Sequence, residues 1–229
     1  APLSVLDAAT GETIRTIAGT EGTDEIVLSD GVLLLCVREQ LSVASPPKEK
    51  PKGRTNPNEF TIGAPGPAEI VAIDAESGAV MWRTEPQAVT VLTLAASGGR
   101  VCLNGENDVR CLDLRSGKPV WTTEIRAPRG SRHSGGTLVM HDDVVLFTGA
   151  DGLAALPAGD GQLLWTGPKV GGPGVTHPPD LFVADGLVWG GDVAGTHSKD
   201  RTAVNREGRD PLTGEVKRSI EIANLISPL

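Results

Sequence analysis

The sequence predicts an all-β protein built from a repeated unit of four short antiparallel strands. Three observations support this: the apolar runs are short, turn residues are dense, and one turn motif recurs along the chain. The 229 residues include 29 Gly and 17 Pro, and the longest apolar run, Val32 to Val37, has the length of a strand. Frequent turn residues between short apolar runs favour many strands over long helices.

The clearest copy of the motif runs from Glu69 to Trp82 and reads EIVAIDAESGAVMW. Asp74 ends one strand and its carboxylate can accept N–H groups of the turn, where Ser77 adds a hydroxyl and Gly78 supplies a positive φ. Trp82 follows on the next strand, and one hairpin is too small to bury it. The motif therefore predicts that each unit packs on its neighbours.

Further copies of the motif set the size of the repeat. They supply Asp113, Ser116, Gly117 and Trp121, then Gly161 and Trp165, then Thr213 and Gly214, with a degenerate early copy that ends at Gly11. Their spacing fits a unit of about 40 residues which, with four strands, is the size of a β-propeller blade. Arg15 and Arg218 replace the Trp in the first and last copies, and we expect those copies to be weaker.

The repeat divides the chain into blade units within one propeller segment, residues 1–229. We expect units at about 1–17, 24–83, 91–123, 137–166 and 181–220, interrupted by inserted loops at 38–67 and 191–204. The longer insertion is rich in Pro, Lys, Gly and Asn and looks too polar to pack. The sequence starts at Ala1 and ends in mid-pattern, so we interpret it as a piece of a longer protein.

The stretch AIDAESGAVMW resembles the tryptophan-docking motif of the PQQ-like repeat, the quinoprotein-type β-propeller family. The likeness covers nearly the whole chain outside the two insertions, although Pro157 replaces the Asp in unit four. Such propellers usually have about eight blades, so the resemblance implies about four to five blades of a larger propeller. It also implies an extracytoplasmic location, periplasmic or secreted.

Strand direction predicts where function lies. If the four strands alternate, the first-to-second and third-to-fourth turns share one end, the short-loop face, and the other connections share the opposite long-loop face, where function is expected. Candidate ligand-binding residues there are Arg126, Arg129, Arg132, His133 and His177. The guanidinium groups could hold a small anion, quinone or acidic peptide; the alternative is a solvated loop.

The cysteines leave two interpretations open. Cys36, Cys102 and Cys111 are too few for a disulfide framework. Cys102 and Cys111 flank a turn, and symmetric pairing about it would place them opposite each other. A cross-strand disulfide in an oxidising compartment and a pair of small buried thiols both fit, and the thiols are favoured.

Charge and composition limit the partners. The net charge of −8 argues against nucleic-acid binding by the whole surface. No apolar stretch is long enough to span a membrane. No C-x-x-C or H-x-x-x-H pattern is present, so we predict no metal site.

The resemblance implies several functions. The favoured one is a non-catalytic binding or scaffold module for a protein, peptide or small ligand, without a cofactor or catalytic residues. The alternative is part of a PQQ-dependent alcohol or sugar dehydrogenase, with the quinone and Ca²⁺ on the propeller axis. Those enzymes often carry an adjacent Cys-Cys pair, which this sequence lacks. A sensor or accessory domain attached to another enzyme domain is a third alternative.

Overall fold

The computed structural model describes residues 1–38, 66–125, 137–149, 152–167, 181–190 and 204–222, and this part of the chain is all β. In chain order, the strands form one hairpin, one sheet of five strands and three four-stranded antiparallel sheets. The prediction of repeated four-stranded antiparallel units is therefore confirmed. Within these residues, no helix is long and apolar enough to cross a membrane.

The strands are grouped here by blade. Blade 1 has β1 (Leu3–Leu6) and β2 (Thr13–Ile17). Blade 2 has β3 (Thr23–Ser29), β4 (Val32–Val37), β5 (Gly66–Asp74) and β6 (Val80–Arg83), and β7 (Gln87–Val89) pairs with the start of β5. Blade 3 has β8 (Ala95–Ser97), β9 (Arg100–Asn104), β10 (Asp108–Asp113) and β11 (Pro119–Glu124). Blade 4 has β12 (Leu138–His141), β13 (Val144–Gly149), β14 (Gly152–Pro157) and β15 (Trp165–Thr166). Blade 5 has β16 (Leu181–Ala184), β17 (Leu187–Gly190), β18 (Val204–Arg209) and β19 (Val216–Ile222).

The core consists of layers between neighbouring blades. In β4, Leu34 packs into the layer shared with blade 3, whereas Leu35 packs into the layer shared with blade 1. Successive side chains of a strand point to opposite faces, so a strand buried on both faces reads as a continuous apolar run. The outermost strand β11 instead alternates exposed and half-buried residues. This explains why the longest apolar run belongs to a second strand.

The first strand of blade 3 begins later than the predicted unit, which starts at about residue 91. This strand, β8, is only Ala95–Ser97. Leu92 has a φ of 58°, in the left-handed region, which breaks an extended conformation. The hydroxyl of Thr93 donates to the Thr90 carbonyl at 2.8 Å and closes this segment into a turn.

Both ends of the predicted insertion 38–67 belong to blade 2. Arg38 has a side chain only 1% exposed, and Gly66 and Pro67 begin β5. The polar composition of the segment predicted that its ends would not pack. Arg38 is nevertheless buried, because its guanidinium forms hydrogen bonds inside the blade. Residues 39–65 lie outside the described residues, as do 191–203 of the second insertion.

Candidate functional site on the long-loop face

The loop residues singled out in the sequence lie outside the described residues. They are Arg126, Arg129, Arg132, His133 and His177. The strand ends that carry the long connections are described, and they form the long-loop end of each blade. The turns with the docking motif lie at the opposite, short-loop end.

The docking tryptophans hold neighbouring blades together at the short-loop end. Trp82 Nε1 donates to the Leu114 carbonyl of the next blade at 2.9 Å. Its ring lies on Gly117, where an added Cβ would be 2.6 Å from the indole. Only glycine leaves room for this contact, and the φ of 67° at Gly117 also favours glycine.

The next two blade boundaries use the same contact. Trp121 Nε1 donates to the Ala158 carbonyl at 2.9 Å, and Trp165 Nε1 donates to the Pro211 carbonyl at 2.8 Å. Their rings cover Gly161 and Gly214. Trp189, on the second strand of blade 5, is also only 8% exposed. The four indoles are therefore committed to packing.

The polar residues of the motif fix its turn. The Asp74 carboxylate accepts the Ser77 hydroxyl at 2.6 Å and the Ser77 N–H at 2.8 Å. The hydroxyl bond, followed by the N–H bond, lowers the pKa of Asp74. Asp113 and Ser116 repeat both bonds, at 2.7 and 2.8 Å. In the last copy, the Thr213 N–H donates to Asp210 at 2.9 Å.

Arginine takes the place of tryptophan at the first blade boundary. Arg15 Nη1 donates to the Glu76 carbonyl at 3.0 Å, and its guanidinium lies over Gly78, where a Cβ would be 2.5 Å away. The contact thus needs a flat group with an N–H donor rather than an aromatic ring. Arg218, at the matching position of blade 5, lies 3.6 Å from the Asp185 carboxylate.

A buried ion pair ties four strands together at the long-loop end of blade 2. Arg38 Nε donates to Asp24 at 2.5 Å, and the two side chains are 1% and 8% exposed. Arg38 Nη1 also donates to the carbonyls of Gly66, at 3.1 Å, and Val89, at 3.0 Å. Its Nη2 lies 3.4 Å from Cys36 Sγ. The guanidinium thereby connects strands β3, β4, β5 and β7.

Beside this pair, Glu25 reaches from blade 2 to blade 3. Its Oε1 accepts the Leu94 N–H at 3.0 Å. Burial raises the pKa of Glu25 to about 7, opposed by that N–H and reinforced by the Asp24 charge. Glu25 thus contacts the segment that holds Leu92, whose side chain is 64% exposed although its backbone is in the left-handed region. A leucine rarely adopts this conformation, and such strain often marks functional sites.

Unpartnered acceptors also concentrate at this end. Four buried oxygens of the described residues have no hydrogen-bond donor: Asp24 Oδ1, Glu25 Oε2, Asn104 Oδ1 and Asp108 Oδ1. All belong to residues at the long-loop ends of blades 2 and 3. Native proteins leave few such groups, so these four buried oxygens are a local feature of blades 2 and 3. The same described residues contain no group of three or more His, Cys, Asp or Glu suited to a metal.

Sequence reasoning missed Asp24, Glu25, Arg38 and Leu92. One signal was present: Arg38 directly follows a buried apolar strand, and an acidic pair begins the strand beside it. A charge at the end of a buried run needs a partner. The left-handed conformation of Leu92 had no signal, because leucine does not favour it.

Comparisons with known proteins extend these observations. A family model described as outer membrane protein assembly factor BamB matches residues 3–201. The chain is similar to BamB from Moraxella catarrhalis, at 24% identity and a TM-score of 0.51, over 70% of this chain and 50% of that one. It is also similar to a europium-containing methanol dehydrogenase, at 15% identity and a TM-score of 0.49, over 71% and 40%. The chain therefore spans half or less of the length of these two structures. No curated protein matches it.

Proposed function

Because the chain belongs to the BamB family of PQQ-like β-propellers, we propose that it is a non-catalytic module that binds a protein partner on its long-loop face. The family description supports an extracytoplasmic location and a role in assembling outer membrane proteins. The tryptophan motif supports the same proposal, since its rings are fixed between blades and its turns lie on the short-loop face.

The observation that carries the proposal is the exposed Leu92 at the long-loop end. Leu92 is 64% exposed and held in the left-handed region next to Glu25. A large apolar side chain that is held on the surface in a conformation leucine rarely adopts suits contact with a polypeptide partner, whose own apolar side chains can cover it.

The proposed binding face also includes the candidate residues of the sequence. These are Arg126, Arg129, Arg132, His133 and His177. Arginine forms bidentate hydrogen bonds with carboxylates, so these residues would bind acidic groups of the same partner. The proposed face would then combine the exposed apolar side chain of Leu92 with basic residues.

Site-specific photo-crosslinking of the full-length protein in its own cells tests the proposal. A crosslinking residue would replace Leu92 or Glu106 on the long-loop face, and Glu76 or Asp142 on the short-loop face as matched controls; all four are exposed. We expect one protein to be captured from the long-loop positions only. The double substitution Arg129→Ala, Arg132→Ala should reduce capture without lowering Tm. Capture from the short-loop positions alone would contradict the proposed face.

The dehydrogenase alternative has a direct test. The full-length protein would be titrated with PQQ and Ca²⁺ and assayed for dye-linked oxidation of alcohols and sugars. We expect neither saturable binding nor oxidation. Tight binding of PQQ together with turnover would overturn the non-catalytic proposal.

A further inference from the structure

We propose that Cys102 and Cys111 form a cross-strand disulfide in an oxidising compartment, which covalently links the two middle strands of blade 3 at its boundary with blade 4. The proposal concerns the chemistry of the chain itself and does not depend on the partner proposed above.

The register of the two strands permits this bond. Cys102 on β9 pairs directly with Cys111 on β10. In the same ladder the Gly105 N–H donates to the Asp108 carbonyl at 2.8 Å and the Leu114 N–H donates to the Gly99 carbonyl at 3.0 Å. Because hydrogen-bonded pairs alternate along an antiparallel ladder, the cysteines occupy a non-hydrogen-bonded pair.

That kind of pair has the separation that a disulfide needs. Non-hydrogen-bonded partners have Cα atoms about 4.5 Å apart, with their side chains on the same face. Disulfides span Cα separations of about 4.4–6.8 Å, so the bond requires no separation of the strands. Both thiols are free in this structure and fully buried.

The oxidant is a small disulfide such as oxidised glutathione. The thiolate of one cysteine attacks one glutathione sulfur, forms a mixed disulfide and releases a glutathione thiolate, which takes up the proton that this cysteine lost. The other cysteine, as its thiolate, then attacks the sulfur of the first cysteine and releases the second glutathione. Two cysteine thiols are oxidised while one glutathione disulfide is reduced to two thiols. Because the native pair is buried, the exchange takes place while the chain folds.

Cys36 provides an internal contrast. It lies on β4, in the core layer between blades 2 and 3, without a second cysteine across the ladder. Burial raises the pKa of the Cys36 thiol to about 12. Without a cysteine partner across the ladder, Cys36 stays reduced.

The bond would lie beside a docking contact. Cys111 Sγ is 3.9 Å from the Ala158 carbonyl, which also accepts Trp121 Nε1 at 2.9 Å. Oxidation removes the thiol proton of Cys111, so the Ala158 carbonyl would then accept a hydrogen bond from Trp121 Nε1 and no longer from the thiol. The disulfide would thus fix strands β9 and β10 where blade 3 meets blade 4.

Oxidative refolding tests the proposal. The reduced, unfolded chain is refolded in a mixture of reduced and oxidised glutathione, quenched with acid, alkylated under denaturing conditions and mapped by peptide mass. We expect a peptide that links Cys102 to Cys111, with Cys36 alkylated, and a Tm above that of the same chain refolded in dithiothreitol.

Two variants serve as controls. Cys36→Ala should give the same linked peptide, and Cys111→Ala should give none. Alkylation of Cys102 and Cys111 in folded wild-type protein from the glutathione mixture would overturn the proposal. So would a link to Cys36.

Discussion

The two ends of the boundary between blades 2 and 3 are held together in opposite ways. At the short-loop end, the Trp82 ring covers Gly117 and its N–H binds a carbonyl, a contact that recurs at the next two boundaries. At the long-loop end, Glu25 accepts an N–H from blade 3 beside the buried Asp24–Arg38 pair. In the described residues this second arrangement is found at blade 2 alone.

The difference separates architecture from function. A contact that repeats from boundary to boundary meets a structural need of every blade, because each blade must bury the face of its neighbour. A buried ion pair that occurs, among the described residues, at one blade boundary does not answer a general packing need, since burying charge costs free energy that apolar packing would avoid. The long-loop end is therefore the place to look for function.

The sharpest way to break the short-loop contact is to add a methyl group beneath the indole. Gly117→Ala places a Cβ 2.6 Å from Trp82 in a residue with a φ of 67°. We expect a loss of about 3 kcal/mol in the free energy of unfolding, from backbone strain and displacement of the ring together. Urea unfolding measures it.

Gly11→Ala is the matched control. Its φ is 75°, yet nothing lies within 4 Å of the added Cβ. We expect only the cost of backbone strain, roughly 1–2 kcal/mol. Equal losses in the two variants would show that the ring contact contributes nothing.

The repeated contacts are the part of the molecule that the sequence predicted well. The spacing of Asp74, Gly78 and Trp82 predicted a turn and a docking side chain. Asp accepts the N–H groups of a turn, Gly adopts a positive φ, and a Trp on the next strand is too large for one hairpin to bury. Arg15 was expected to be weaker, and sequence alone could not show that a guanidinium occupies the same place. The long-loop cluster was missed because Asp24 and Arg38 are far apart in sequence and their pairing depends on the fold.

Truncation of the docking side chain compares tryptophan with its natural replacement. Trp82→Ala removes a large ring and the hydrogen bond to the Leu114 carbonyl, so we expect a loss of about 3 kcal/mol. Arg15→Ala removes one hydrogen bond to the Glu76 carbonyl from an exposed contact, and we expect about 1 kcal/mol. Urea unfolding of both variants decides whether the first boundary is the weaker one; a larger loss for Arg15→Ala would reverse that ranking.

The long-loop end predicts a pH dependence that the short-loop end does not share. Burial raises the pKa of folded Glu25 to about 7, above the value of 4.5 expected for the unfolded chain. Between these pH values the folded chain keeps a proton that the unfolded chain has lost. The free energy of unfolding should therefore fall as pH rises from about 4.5 to about 7, by up to about 3 kcal/mol in total.

Glu25→Gln isolates this effect. The amide oxygen of glutamine can still accept the Leu94 N–H, but the side chain no longer titrates. We expect urea unfolding at pH 5 and pH 7.5 to show a drop in stability for the wild-type chain and a much smaller one for the variant. The motif aspartates, whose pKa values are lowered by their turn hydrogen bonds, lose their contribution only as pH falls below about 4, outside this window. An equal drop in both proteins would assign the pH dependence to other groups and remove Glu25 as the titrating link between blades 2 and 3.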